Sequence, residues 1–140
     1  MRVDLTMPIL IVDDHKTMVR IIRNLLSQLG FNNIDEANDG ETALAKLQDR
    51  KHGLIISDWN MKPMTGYDLL QKVRADNQLA DIPFIIVTAE SATENVIAAK
   101  KAGVNNYLLK PFSAAALRSK IEAIFEKSRP RRSDVQMVQA

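Results

Sequence analysis

Along this chain, short apolar runs alternate with longer stretches in which apolar positions recur every three or four residues. The short runs are Pro8–Asp13, Asn33–Ala37, Leu54–Asp58, Phe84–Thr88 and Tyr107–Leu109. Three of them are rich in Ile, Leu and Val without polar alternation, the pattern of strands covered on both faces of a parallel sheet. The intervening stretches keep a helical period. Met18, Ile22, Leu25 and Leu29 fall at i, i+4, i+7 and i+11, and Leu117, Ile121 and Ile124 repeat the spacing near the other end. Gly30 stands where a glycine stops the first helix, and Ser113, two residues after Pro111, is placed to cap the last. Strand–helix alternation with short connections predicts a doubly wound α/β fold, five parallel strands in one sheet with helices on both faces.

That fold singles out particular residues, because ligands of such sheets bind beyond the carboxyl ends of the strands, where the strand order reverses. Strand one ends in Asp13 and Asp14, strand three in Asp58 and strand four in Thr88, while Lys110 and Pro111 follow strand five. Parallel packing brings all of them to one edge. Carboxylates about 5 Å apart at an effective dielectric near 20 repel by roughly 3 kcal/mol per pair. An all-oxygen cluster of this kind suits a hard divalent cation such as magnesium. Lys110 brings one positive charge against three negative ones, so the edge is built for a cation together with an anion, the pattern of phosphoryl transfer. Taken singly, these residues have plainer readings. Asp13 or Asp14 caps a helix starting near His15, Thr88 is an ordinary β-branched strand residue, Tyr107 a half-buried strand aromatic, and Lys110 a solvated lysine. Their coincidence at one edge is what separates the readings. Trp59 and Met61 border Asp58, and Met61 and Met64 flank Pro63 in a loop; His15 reads as a solvated helix-start residue and His52 as a surface loop residue.

Composition narrows the class further. Hydrophobic residues at 46% and charged residues at 26% over 140 positions describe a globular protein. The absence of cysteine excludes disulfides and thiolate chemistry. No apolar stretch approaches the roughly 20 residues that span a bilayer, and the apolar run at 8–12 ends in two aspartates, unlike a secretion signal. A cytoplasmic protein with no membrane contact is the expectation. The net charge of +2 is unevenly spread: residues 127–140 hold Lys127, Arg129, Arg131 and Arg132 against Asp134, or +3, leaving −1 on the rest. A DNA-binding protein would spread its positive charge over a folded face, so no DNA partner is expected.

The segments "ILIVDD", "SDWNM", "VTAE" and "NYLLKPF", in this order, resemble bacterial response-regulator receiver domains, and within them the CheY-like single-domain regulators. The resemblance covers residues 7–126. It implies a flavodoxin-like sheet and a signalling switch rather than an enzyme, one that assists only its own phosphorylation and dephosphorylation. Asp58 is then the phospho-acceptor, charged by a sensor histidine kinase. Asp13, Asp14, Asp58 and Asn60 are the implied magnesium ligands, Asp13 through water and Asn60 through its backbone carbonyl. Lys110 and Thr88 hold phosphoryl oxygens, Tyr107 is an aromatic switch, and Lys110–Pro111 is a cis bond. Departures are few: the proline after the phospho-acceptor falls one place late, at Pro63 behind Lys62.

The resemblance divides the chain into a receiver domain, 1–127, and a basic tail, 128–140, with no output domain expected to follow. Output then comes from a protein bound at the face of the fourth helix, fifth strand and fifth helix, in chemotaxis or at a flagellar motor switch. Two alternatives stay open. One is a phosphorelay intermediate or phosphate sink. The other is a cyclic di-GMP effector, because Arg129, Arg131, Arg132 and Asp134 resemble the arginine-rich, R-x-x-D extensions of CheY-like proteins that bind this dinucleotide. A flavodoxin-like redox protein is set aside, since a Ser/Thr- and Gly-rich phosphate loop would have to stand where Asp-Asp-His-Lys stands.

Overall fold

The computed structural model describes residues 3–89 and 93–128. Glu90, the last residue of the "VTAE" segment, and the tail positions Arg129, Arg131, Arg132 and Asp134 therefore lie outside the described residues. The elements run β1 (Ile9–Val12), α1 (Lys16–Gln28), β2 (Ile34–Ala37), α2 (Gly40–Asp49), β3 (Leu54–Asp58), α3 (Gly66–Ala75), β4 (Phe84–Thr88), α4 (Thr93–Lys101), β5 (Asn106–Leu109) and α5 (Ala114–Ser128). All strand pairs are parallel, in the order β2-β1-β3-β4-β5. The predicted doubly wound sheet is the one observed. β3 and β4 coincide with their predicted runs, and the other strands differ from theirs by a residue at one or both ends.

The unbroken apolar strands sort their side chains onto two faces. Ile9, Ile11, Ile56, Ile85 and Val87 pack with Val19, Ile22 and Leu26 of α1 and Leu117, Ile121 and Ile124 of α5. Leu10, Val12, Ile55, Phe84 and Ile86 pack with Ala43 and Leu47 of α2, Leu69, Leu70 and Val73 of α3, and Ala99 of α4. Each fully buried Leu or Ile contributes about 1.5–3 kcal/mol. A few such residues offset the repulsion of one crowded carboxylate pair, so it is the two-sided core that holds the acidic strand ends together.

Helix ends follow the local chemistry. α1 stops at Gly30, whose φ of 102° few side chains tolerate. Its N–H donates to the Ser27 carbonyl, and the Phe31 N–H reaches back to Leu26. Ser113 caps α5 by accepting from the Ala116 N–H at 3.1 Å.

Two expectations change. The buried face of α1 is Val19, Ile22 and Leu26, with Met18, Leu25 and Leu29 only partly buried against the same cluster. The α1 stripe is therefore wider than its spacing suggested, because the helix packs on the sheet with one flank and towards α5 with the other. His52 is not a surface residue. It is 3% exposed, its ring nitrogens lying 2.7 Å from the Asp35 carboxylate and 3.1 Å from the Arg50 carbonyl. Met61 lies in the β3–α3 loop as read, with its side chain buried in the core beneath α2 and α3.

Candidate functional site

Strand register builds the site. Val12 pairs with Ser57, so Asp13 stands level with Asp58 one residue further on. Asp58 pairs with Val87, and Thr88 with Leu109, which carries Thr88 and Lys110 to the same edge. The edge lies at the carboxyl ends of β1 and β3, the pair at which the order 2-1-3-4-5 reverses. Sheet geometry thus assembles residues that are up to 97 positions apart in the chain, from Asp13 to Lys110.

Asp58 is 3% exposed, and Lys110 donates from Nζ to its Oδ1 at 3.0 Å. The same ammonium lies 3.9 Å from Asp13 Oδ2. Asp13 is buried with one oxygen committed and one open. Its Oδ1 accepts from the His15 N–H at 2.9 Å, while Oδ2 has no hydrogen-bond partner. Burial pushes the Asp13 carboxyl above the ordinary range, the Asp58 charge adds to that, and the His15 N–H and Lys110 work against it. His15 is well exposed as expected, yet its Nδ1 is 3.2 Å from Asp13 and 3.0 Å from Asp14, so it belongs to the cluster's rim. Asp13, Asp14, His15 and Asp58 each offer a ligand atom within 4.8 Å of the others. α1 begins with His15 at its N-cap position and no side-chain cap, so neither aspartate serves as one.

The other predicted site residues divide. Thr88 is fully buried at the end of β4, and its carbonyl accepts from the Lys110 N–H at 2.8 Å. Asn60 is exposed in the β3–α3 connection beside Asp58. Tyr107 is half-buried on β5, its ring edge-on to Trp59 with centroids 6.3 Å apart, and Trp59 stacks on Tyr67 of α3 at 5.4 Å. An aromatic path therefore joins the residue after Asp58 to the edge strand. Lys110–Pro111 is cis as implied, and Lys62–Pro63 is cis as well.

Two further residues shape the site and escaped the sequence reading. Ser57 donates its buried hydroxyl to the Asp58 carbonyl at 2.9 Å. Gly66, first residue of α3, donates its N–H to the Trp59 carbonyl at 2.9 Å. A Cβ there would stand 2.1 Å from the Asp58 carbonyl oxygen. The only sequence signal was a glycine following Thr65, which forms a capping box with Asp68 and so marks a helix start.

Comparison with known proteins agrees with this fold. Residues 9–122 match the family described as the response regulator receiver domain. The chain is 54% identical over 121 residues to the chemotaxis protein CheY of Pseudomonas aeruginosa, covering 86% of this chain and 98% of that protein. It is 51% identical over 121 residues to chemotaxis protein CheY-3 of Vibrio cholerae, covering 86% and 93% respectively. Among solved structures it resembles CheY4 of Vibrio cholerae, with TM-score 0.78, 31% identity, and coverage of 85% of this chain and 98% of that one. It also resembles the receiver domain of a Pseudomonas aeruginosa sensor histidine kinase (TM-score 0.75, 28% identity, coverage 85% and 98%), a structure with a magnesium ion coordinated in the active site cleft.

Proposed function

The chain belongs to the response regulator receiver domain family, and on that premise we propose that it is a single-domain response regulator of chemotaxis, phosphorylated on Asp58 by a histidine kinase and signalling through phosphorylation-dependent protein binding. The observation that carries this reading is the buried Asp58 carboxylate held 3.0 Å from Lys110 beside the acidic pair. An Asp58 oxygen attacks the phosphorus of a phosphohistidine, the P–N bond breaks, and the imidazole leaves with the electron pair. The product is an acyl phosphate. Lys110 would follow charge from the carboxylate to a phosphoryl oxygen, and the hydroxyl of Thr88, on the strand next to that of Asp58, would meet another. Asp58 is the only group of the site that forms a bond.

The donor set fits magnesium: several carboxylates, one with an open buried oxygen, converge at a distance one ion spans. Asp13, Asp14, Asp58 and the Asn60 carbonyl would hold it, and bound there it would neutralise charge on the transferring group. Because ligand binding stabilises the fold by mass action, millimolar magnesium should raise Tm by a few degrees in thermal melts, and Asp14→Ala should cut the rise by at least half. The raised Asp13 carboxyl makes protons compete with the metal, so the magnesium-induced rise should shrink as pH falls from 7 to 5. A wild-type Tm indifferent to tens of millimolar magnesium contradicts the assignment.

For output, the edge formed by α4, β5 and α5 exposes Ile97 and Leu109, with Tyr107 half-buried between the site and that surface. A target there, such as a flagellar motor switch protein, would read the position of Tyr107 through its packing against Trp59. None of the described helices is long and apolar enough to cross a membrane, in keeping with a cytoplasmic role. The arginine-rich tail supplies a second reading on its sequence alone, as a cyclic di-GMP contact. One pull-down separates these readings, with beryllofluoride-treated and untreated protein, each with and without cyclic di-GMP. A partner captured only after beryllofluoride supports the switch. No treatment-dependent partner favours the relay or phosphate sink. A partner that follows cyclic di-GMP, and is lost in Arg131→Ala/Arg132→Ala, supports the tail reading.

A further inference from the structure

A cavity of about 570 Å³ opens between α1 and the β2–α2 junction, sharing Asp13 as a wall with the strand-end site. Lys16, Arg20 and Arg23 of α1 line it, with Lys46 of α2 opposite and the polar Asn38 and Thr42 beside them. Val19 and Ala37, both buried, supply its apolar lining. Two carboxylates also reach it, Glu36 in an ion pair and Asp13 engaged through one oxygen only. Glu36 pairs with Arg23 through its carboxylate, and its backbone carbonyl accepts from Lys46. Asp13 is held by His15 and faces Lys110. Lys16 and Arg20 have no hydrogen-bond or ion-pair partner among the described residues, and the lining keeps a balance of four cations to two anions.

This charge is unfavourable for the helix that carries it. Lys16, Arg20 and Arg23 recur at i, i+4 and i+7, one face of α1, where like charges repel. Lys16 is the first residue of α1, at the positive end of the helix dipole, and the first turn has no acid. None of the three belongs to the buried face of Val19, Ile22 and Leu26. Core packing therefore does not require them, and neutral residues would serve the helix better. An anion seated in the cavity reverses the sign of both terms. The concave shape and volume are those of a small-molecule site. Arg20 offers a fork for phosphate oxygens, Asn38 and Thr42 offer hydrogen bonds, and the apolar lining suits a base or sugar face.

We propose that this cavity binds a phosphate-bearing small molecule of nucleotide size, through residues other than the phospho-acceptor Asp58 and the tail arginines. The test follows backbone amide shifts of the full 15N-labelled chain during titration with GTP, ATP, cyclic di-GMP and pyrophosphate. EDTA is present throughout, so that no nucleotide carries metal to Asp13. At least one nucleotide should shift residues 16–23, 36–38 and 42–46 saturably at 0.3 M salt, with pyrophosphate at least tenfold weaker. Arg20→Glu should weaken that binding at least tenfold, and the exposed position of Arg20 leaves the fold intact; Arg20→Gln should weaken it severalfold. The same shifts should persist with GTP or ATP in Arg131→Ala/Arg132→Ala. Equal binding of pyrophosphate that fades with salt would reduce the cavity to a screened basic surface and overturn the proposal. Shifts confined to the tail, or tighter binding of a poly-glutamate peptide than of any nucleotide at these amides, overturn it equally.

Discussion

Asp58→Asn should leave a folded protein that takes up no hydroxylamine-sensitive, alkali-labile phosphate from acetyl phosphate or a histidine kinase, a loss of at least two orders of magnitude. The asparagine amide has the same shape as the carboxylate but lacks its charge and nucleophilic oxygen, so the bond to phosphorus has no donor of electrons. The Lys110 ion pair, at 3.0 Å in the native protein, disappears with it. The fold should not suffer. Asp58 is one of the charges that raise the neighbouring Asp13 carboxyl, and removing it relieves repulsion in a buried cluster, so the metal-free variant should melt at or above the wild-type temperature. Phosphorylation can be followed by intact-mass measurement or radiolabel. Wild-type labelling of the variant at another residue would displace Asp58 from its role. A variant that unfolds would show instead that the Lys110 pair holds the edge together.

The asymmetry between what the sequence revealed and what it concealed has a physical source. β3 and β4 were legible to the residue because a run such as Phe84-Ile85-Ile86-Val87-Thr88 is covered on both faces, and only an interior parallel strand demands that. The strand-end residues followed, because parallel strands must present all their carboxyl ends at one edge. What register decides could not be read. Nothing local indicates that Val12 lies across from Ser57, and it is that pairing which sets Asp13 level with Asp58. His52 was misread for the same reason. Lys51-His52-Gly53 is a polar loop in sequence, and the partner that buries the histidine, Asp35, lies 17 positions away on an edge strand. On α1 the period identified apolar positions but not which flank meets the sheet, so Val19 and Leu26 were missed and the basic face of Lys16, Arg20 and Arg23 was visible only as charge. Its cavity exists because α2 starts beside it, a relation between elements rather than within one.

Gly66 shows how such a relation becomes a constraint on one residue, and Gly66→Ala should be among the most damaging substitutions of a single methyl group. The first turn of α3 presses on the chain at Asp58–Trp59 so closely that an added Cβ would lie 2.1 Å from the Asp58 carbonyl oxygen, 2.9 Å from its carbon and 3.0 Å from the Trp59 Cα. Every one of these atoms is backbone, so no rotamer relieves the overlap. The helix cannot withdraw freely either, because Thr65 and Asp68 fix its start and the Gly66 N–H is bonded to Trp59. Overpacking of this kind costs about 3 kcal/mol or more, or roughly 10 °C in Tm for a domain of this size. The displaced group is the peptide that carries the phospho-acceptor, so the Asp58–Lys110 distance should open and the phosphorylation rate should fall at least tenfold in molecules that remain folded. Gly40→Ala is the internal comparison. Its Cβ would also overlap a neighbour, 2.4 Å from the sulfur and 3.0 Å from the Cβ and Cγ of Met64, but all three belong to one partly exposed side chain and none to backbone. Met64 can swing away, and alanine favours the helix by up to about 1 kcal/mol over glycine, so Gly40→Ala should change Tm by no more than a few degrees and leave phosphorylation unaltered. Equal Tm values and equal phosphorylation rates for the two variants would mean that α3 does not brace the phospho-acceptor. A large loss confined to Gly66→Ala would place the first turn of α3 among the elements that set the reactive geometry of Asp58.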